Sequence, residues 1–137
     1  MKRSNRTKLS IAAIALSAWL VPLAGPVVAQ SADLPMLSQL AGGEWTVRFR
    51  DGSASRKICV RSGAELIQLR HRGSGCSRFV VENEANRVTV QYTCPGNGYG
   101  RTSVRRETNS LVQIESQGIS NGVPFQLTAE ARRTGGC

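Results

Sequence analysis

The sequence is poor in the residues from which most enzyme sites are built. It holds one histidine, His71, and nine Asp and Glu among 137 residues. A Ser-His-Asp mechanism would have to centre on His71. Arg70 and Arg72 flank that residue and no Gly-x-Ser-x-Gly stretch accompanies it, so it reads as a surface histidine. Glu82 and Glu84 flank a turn, where solvated carboxylates are ordinary, and no glycosidase pair follows from them. The four cysteines lie 17, 18 and 43 positions apart, too far for the close ligand pairs of a zinc site. Aromatics number two Trp, two Tyr and three Phe. Beyond the leader they fall mostly on apolar strand faces, not between basic residues as single-stranded nucleic acid would require. No catalytic residue, metal or cofactor is assigned, nucleic acid is not expected as a partner, and the chain is expected not to be an enzyme.

What is present begins with a leader. Lys2, Arg3, Arg6 and Lys8 precede an apolar run from Leu9 to Val21, and Pro22, Gly25 and Pro26 then break any helix. Val27-Val28-Ala29 offers small residues to a signal peptidase, so residues 1–29 are expected to be a cleaved secretory signal with the cut after Ala29. The run is too short to span a bilayer comfortably, and no stable membrane insertion is expected. Residues 30–137 form one domain, with fourteen basic and nine acidic residues and Lys57 as their single lysine.

An even cysteine count in a small exported domain reads as two disulfides. Two β-rich runs flank Glu82-Asn83-Glu84-Ala85-Asn86. Folding that hairpin about Ala85 sets Val80 opposite Val90 and Cys76 opposite Cys94, close enough to bridge. Cys59 is then left for Cys137.

Alternation carries most of the fold. Leu34–Leu40 has a helical turn's spacing. Trp45, Val47 and Phe49 share one strand face, with Arg48 and Arg50 on the other. Asp51-Gly52 signals a hairpin turn into a second strand over 56–61. Ser62 and Glu65 have capping-box spacing, which predicts a short helix to about Arg70. Strands follow over 77–82, 87–93, 99–107, 111–117 and 125–132, with Asn121-Gly122 as a tight turn before the last. The fold class is all-β, an antiparallel meander forming a curved sheet or small barrel with one or two short helical turns.

The stretch Cys94-Pro95-Gly96-Asn97-Gly98-Tyr99-Gly100-Arg101-Thr102 looks like a phosphate loop. It has no lysine and leads into a strand, so its glycines are assigned to turning or bulging the chain.

The order of landmarks is Gly43-Glu44-Trp45, Cys59, Cys76, Cys94 with its glycines, and a terminal Ala131-Arg132-Arg133-Thr134-Gly135-Gly136-Cys137. It resembles the exported bacterial family catalogued as domain of unknown function 3617, across nearly all of 30–137. The end ARRTGGC is the most specific part of the likeness; the Gly-Gly at 135–136 and the short loops depart from it. The resemblance implies a periplasmic location and disulfides, and it supplies no activity. The helical turn leading into Gly-x-Trp is also similar to lipocalins, which implies that Trp45 closes one end of a barrel with Arg132 or Arg133 across it.

Three functional expectations follow. The first is a non-enzymatic envelope module binding anionic components through Arg48, Arg50, Arg101, Arg105 and Arg132. The second is a carrier of a small apolar ligand lined by Trp45, Val47 and Phe49. The third, an inhibitor of a cell-wall hydrolase, rests on size and cysteine use, and the basic charge argues against a basic lysozyme as its target.

Overall fold

The computed structural model of the protein describes residues 33–73 and 75–137. The signal sequence expected over 1–29, with its cut after Ala29, lies outside the described residues. Seven strands form: β1 (Gly43–Phe49), β2 (Arg56–Val60), β3 (Ser77–Asn83), β4 (Arg87–Cys94), β5 (Gly98–Thr108), β6 (Leu111–Ser120) and β7 (Val123–Gly135). They make one antiparallel sheet in the order β2-β1-β7-β6-β5-β4-β3. From β3 to β7 the chain is a meander. β7 then returns beside β1, and β1 carries β2 at the edge. β2 and β3 share no ladder, so the sheet is open and not a closed barrel.

Alternation along the strands makes this sheet two-faced. Trp45 and Val47 on β1, Ala129 and Ala131 on β7, Val112 and Ile114 on β6, Val104 on β5 and Val88 and Val90 on β4 are all fully buried on the inner face. Helix α1 (Pro35–Ser38) contributes Met36 and Leu37 to the same core.

β2 and β3 are consecutive in sequence yet lie at opposite edges of the sheet. Leu66, Ile67, Leu69 and His71, on the chain that joins them, are all buried, so this crossover closes the inner face. The three aliphatic side chains would each contribute roughly 1.5–3 kcal/mol by leaving water. Their sum is comparable to the net stability of a small domain, about 5–15 kcal/mol. Without the crossover only α1 and the residues next to it would cover the inner face.

The helix predicted to run to Arg70 is only a 3-10 turn at Ala64–Leu66. The capping pattern is partly formed, since the Glu65 carboxylate accepts from the Arg61 and Ser62 amides. The Ser62 hydroxyl, however, accepts from Ala64 at 3.3 Å, one residue earlier than a capping box requires. Asp51-Gly52 also departs from expectation. β1 and β2 are joined through a wider loop, in which Asp51 Oδ1 accepts from the Ser53 amide at 2.9 Å. Asn121 and Gly122 do form the tight turn, with φ of 50° and 77°.

The β3–β4 register places Val80 opposite Val90 and Ser77 opposite Thr93. Cys76 and Cys94 therefore meet, with Cα atoms 4.2 Å apart in their disulfide. Cys59 and Cys137 form the other bridge, at 5.7 Å. The two bridges close loops of very different length, 78 and 18 positions. Chain-entropy arguments give about 4.5 kcal/mol for the long loop and about 3.2 kcal/mol for the short one. Urea unfolding should therefore show the Cys59→Ser/Cys137→Ser protein losing about 1 kcal/mol more than Cys76→Ser/Cys94→Ser; the reverse order would show that native-state packing around the hairpin bridge dominates.

Candidate functional site

Two arrangements of polar side chains stand out, one sealed and one open. The sealed one is built on His71, which is 1% exposed and so is not the surface residue its arginine neighbours suggest. The crossover carries it inward between Arg70 and Arg72, both of which stay exposed. Its Nε2 faces the carbonyl oxygens of Ile119 at 3.0 Å and Asn97 at 3.2 Å, so Nε2 carries the hydrogen. Nδ1 lies 3.0 Å from the Tyr92 hydroxyl and accepts from it. Farther along, the Thr102 hydroxyl donates to the Ile67 carbonyl at 2.7 Å and accepts from Ser116 at 2.7 Å. Burial pushes the Tyr92 phenol above its ordinary 10.0, while hydrogen bonds with Ser116 and Thr102 act the other way.

The glycine-rich stretch finds its explanation here. The Tyr92 ring crosses β5 at Gly100, where a β-carbon would overlap the phenol. A β-carbon at Gly118 on the next strand would overlap the Tyr99 carbonyl. Gly96 does serve a turn, closed by the Asn97 amide on the Cys94 carbonyl at 3.0 Å. Gly98 and Gly100 instead lie within β5. Among the described residues this chain has no carboxylate partner; the Thr102 and Tyr92 hydroxyls bond the crossover directly, and Ser116 supports Thr102.

The open arrangement covers the outer face. Three depressions of about 370, 360 and 280 Å³ follow one another across β4 to β7. The first and second share Arg101 and Gln117, and the second and third share Ser103, Glu115 and Thr128, so they form one continuous groove. The register builds it from cross-strand rows. Thr128, Glu115, Ser103 and Thr89 make one row, and Glu130, Gln113, Arg105 and Arg87 the next. Tyr99, 48% exposed, stands at one end, and Arg50, Arg87 and Arg105 stand at the other.

Several of these groups are tied to one another. Arg50 donates to Gln113 Oε1 at 3.0 Å, Arg105 pairs with Glu107 at 3.0 Å, and Thr89 donates to Glu82 at 2.7 Å. Arg87 and Arg101 make no side-chain hydrogen bond or ion pair among the described residues. Their guanidinium groups are available to a ligand.

Of the arginines expected to bind anions, Arg50, Arg101 and Arg105 line this groove. Arg48 and Arg132 share its face but border no part of it; Arg132 lies 3.8 Å from Glu130. Arg87 was missed, although alternation along β4 and its pairing with Arg105 could have found it. Trp45 and Val47 are fully buried, border none of the described cavities, and Trp45 Nε1 donates to the Ala41 carbonyl at 2.9 Å. Phe49 borders a cavity at the end of β1. Arg133 is opposite Trp45 in the β1–β7 register, and its Nε donates to the Gly42 carbonyl at 2.7 Å.

Both disulfides are formed, so no thiol is free. Among the described residues no group of His, Cys, Asp and Glu could hold a metal ion, and no helix is long and apolar enough to cross a membrane. No family model, curated protein or solved structure matches the chain.

Tyr92 ties the sealed chain to pH. Because its folded pKa is raised, the unfolded chain releases the phenol proton first. Its stabilising contribution is complete below about pH 10 and is lost as pH rises through the folded value. Unfolding free energy should turn down above about pH 10 in the wild type and less steeply in Tyr92→Phe. At neutral pH that variant should lose about 1–3 kcal/mol, because His71 Nδ1 is left without a donor. Parallel alkaline profiles would show that Tyr92 is not the group responsible.

Proposed function

We propose that this chain is a non-enzymatic binding module of the bacterial envelope, and that its outer-face groove holds an extended anionic polymer such as an acidic polysaccharide. The observation that carries the reading is the pair of unpartnered guanidinium groups, Arg87 and Arg101, in one continuous polar groove. Arg101 and Arg105 stand on the same face of β5 four positions apart, about 13 Å along the strand. Cationic positions that far apart favour a ligand with repeated charges over a single small ion. Gln91, Gln117 and Gln126 along the groove can both donate to and accept from hydroxyl groups between those charges.

The periplasm is the compartment this reading requires. A leader with signal-sequence layout, two disulfides and the resemblance to an exported family support it.

Polygalacturonate titrated into the oxidised protein by calorimetry tests the reading. Arg87→Gln/Arg101→Gln should bind about tenfold more weakly, as expected for losing charge-assisted hydrogen bonds. It should keep its melting temperature, since neither side chain has a partner among the described residues. Raising salt to about 0.15 M should weaken wild-type binding more than that of the double variant. Equal affinity for neutral dextran, or an unchanged double variant, would remove the reading.

A further inference from the structure

We propose a second binding site, for a small amphiphilic monoanion such as an aryl carboxylate, at the end of the sheet where β1 leaves β7. β1 pairs with β7 only as far as Phe49 opposite Ala129. Beyond that point Phe125 and Leu127 have no β1 neighbour, and a cavity of about 440 Å³ opens between them and the loop over residues 50–55. It adjoins the outer groove at Phe125, Gln126 and Leu127 but differs from it in chemistry.

Two guanidinium groups border this cavity, each set against an aromatic ring. Arg56 lies 5.4 Å from the Phe49 ring centre, and Arg70 lies 5.8 Å from that of Phe125. Arg56 donates to the Leu69 carbonyl at 2.8 Å, and its Nε–H is buried with no acceptor. An unpaired buried donor is uncommon and costly, and here it belongs to a cation. Burial, and then the charges of Arg72 and Arg70, lower the pKa of Arg56. Among the described residues Arg56, Arg70 and Arg72 form no ion pair. Asp51 is the one carboxylate bordering the cavity, and it accepts from the Ser53 amide.

A bound carboxylate supplies the anion that this arginine cluster lacks. The cavity has the size of a small-molecule site and is far larger than an inorganic ion needs. Phe49, Pro124, Phe125 and Leu127 give it an apolar wall, which a bare ion would leave wet. An apolar body with one charged end satisfies both halves of the lining. Asp51 at the border disfavours a second negative charge.

Benzoate is the probe, followed by amide chemical shifts of the oxidised protein, with neutral benzamide as its isostere. Saturable shifts are expected at Phe49, Arg56, Arg70 and Phe125, with benzamide at least about tenfold weaker. Arg70→Gln removes one exposed cation without touching the Leu69 contact and should weaken benzoate about tenfold. Arg61→Gln removes the same charge away from the cavity and should change nothing. Arg56→Gln should act as Arg70→Gln does if it folds, and Arg70→Gln decides the matter if it does not. Equal binding of benzoate and benzamide, an unchanged Arg70→Gln, or shifts centred on Arg87 and Arg101 would each overturn the site. Polygalacturonate binding by Arg70→Gln separates the two sites: it should persist, and its behaviour bears on the groove alone.

Discussion

The chain between β2 and β3 must travel from one edge of the sheet to the other, and most of the structure answers to that constraint. A chain crossing an apolar sheet face takes its peptide groups out of water, where each unpaired one is costly. The sheet supplies the missing partners at defined points. Thr102 donates to the Ile67 carbonyl and Arg56 donates to the Leu69 carbonyl, while Arg78 Nε holds the Gln68 side chain through Oε1 at 2.9 Å. His71 closes the set by bonding back to Tyr92, Ile119 and Asn97. The polar residues inside this core, Thr102, Ser116 and His71, are therefore the cost of using a loop as the second layer. They also fix where that loop lies, because a slip of one residue would leave several of them unpaired at once.

The same constraint marks the limit of what could be read from residue order. Seven strands, their inward faces and both disulfides were legible because alternation and opposed positions are local signals, as Val80 opposite Val90 shows. The fate of residues 61–73 was not local. His71 sits among arginines and near glycines, a surface composition, and only the placement of β2 and β3 at opposite edges carries it inward. The helix expected to reach Arg70 failed for a related reason. Leu66, Ile67 and Leu69 are all buried. A continuous helix could not turn all three toward one sheet face together with His71. The glycines at 98 and 100 looked like loop residues because their true neighbours come from other strands: the Ile119 carbonyl on β6 for Gly98, and the Tyr92 ring on β4 for Gly100.

Filling the inner face has a consequence for ligands. Trp45 and Val47 were legible as an apolar pair, but the crossover lies over the face they occupy, and both are packed. Cavities of ligand size therefore lie off the packed inner face: on the outer face, at the end of the sheet beyond β1, and, at about 630 Å³, along the flank of the crossover beside β2. The first is a product of cross-strand rows and was half legible, since Arg50, Arg101 and Arg105 alternate outward in sequence. The second depends on where β1 stops while β7 continues, a mismatch of strand lengths that no local pattern announces.

Charge by itself does not single out either place. Arginine outnumbers lysine almost completely beyond the leader, and its planar fork suits several purposes. Much of it is structural: Arg106 bonds Asn109 and the Ala85 carbonyl, Arg133 bonds the Gly42 carbonyl, and Arg50 spans β7 to reach Gln113. A map of positive potential would weigh these equally with Arg87 and Arg101. What separates them is the count of partners each guanidinium already has. A guanidinium with filled donors gains little from a new anion, whereas one with open donors, or a buried donor without an acceptor, gains a charge-assisted bond. Open donors alone also mark Arg48, Arg61 and Arg72, and a buried unpaired Nε also marks Arg106; position in a cavity is the second requirement, and Arg87 and Arg101 across the outer face, and Arg56 with Arg70 at its end, meet both.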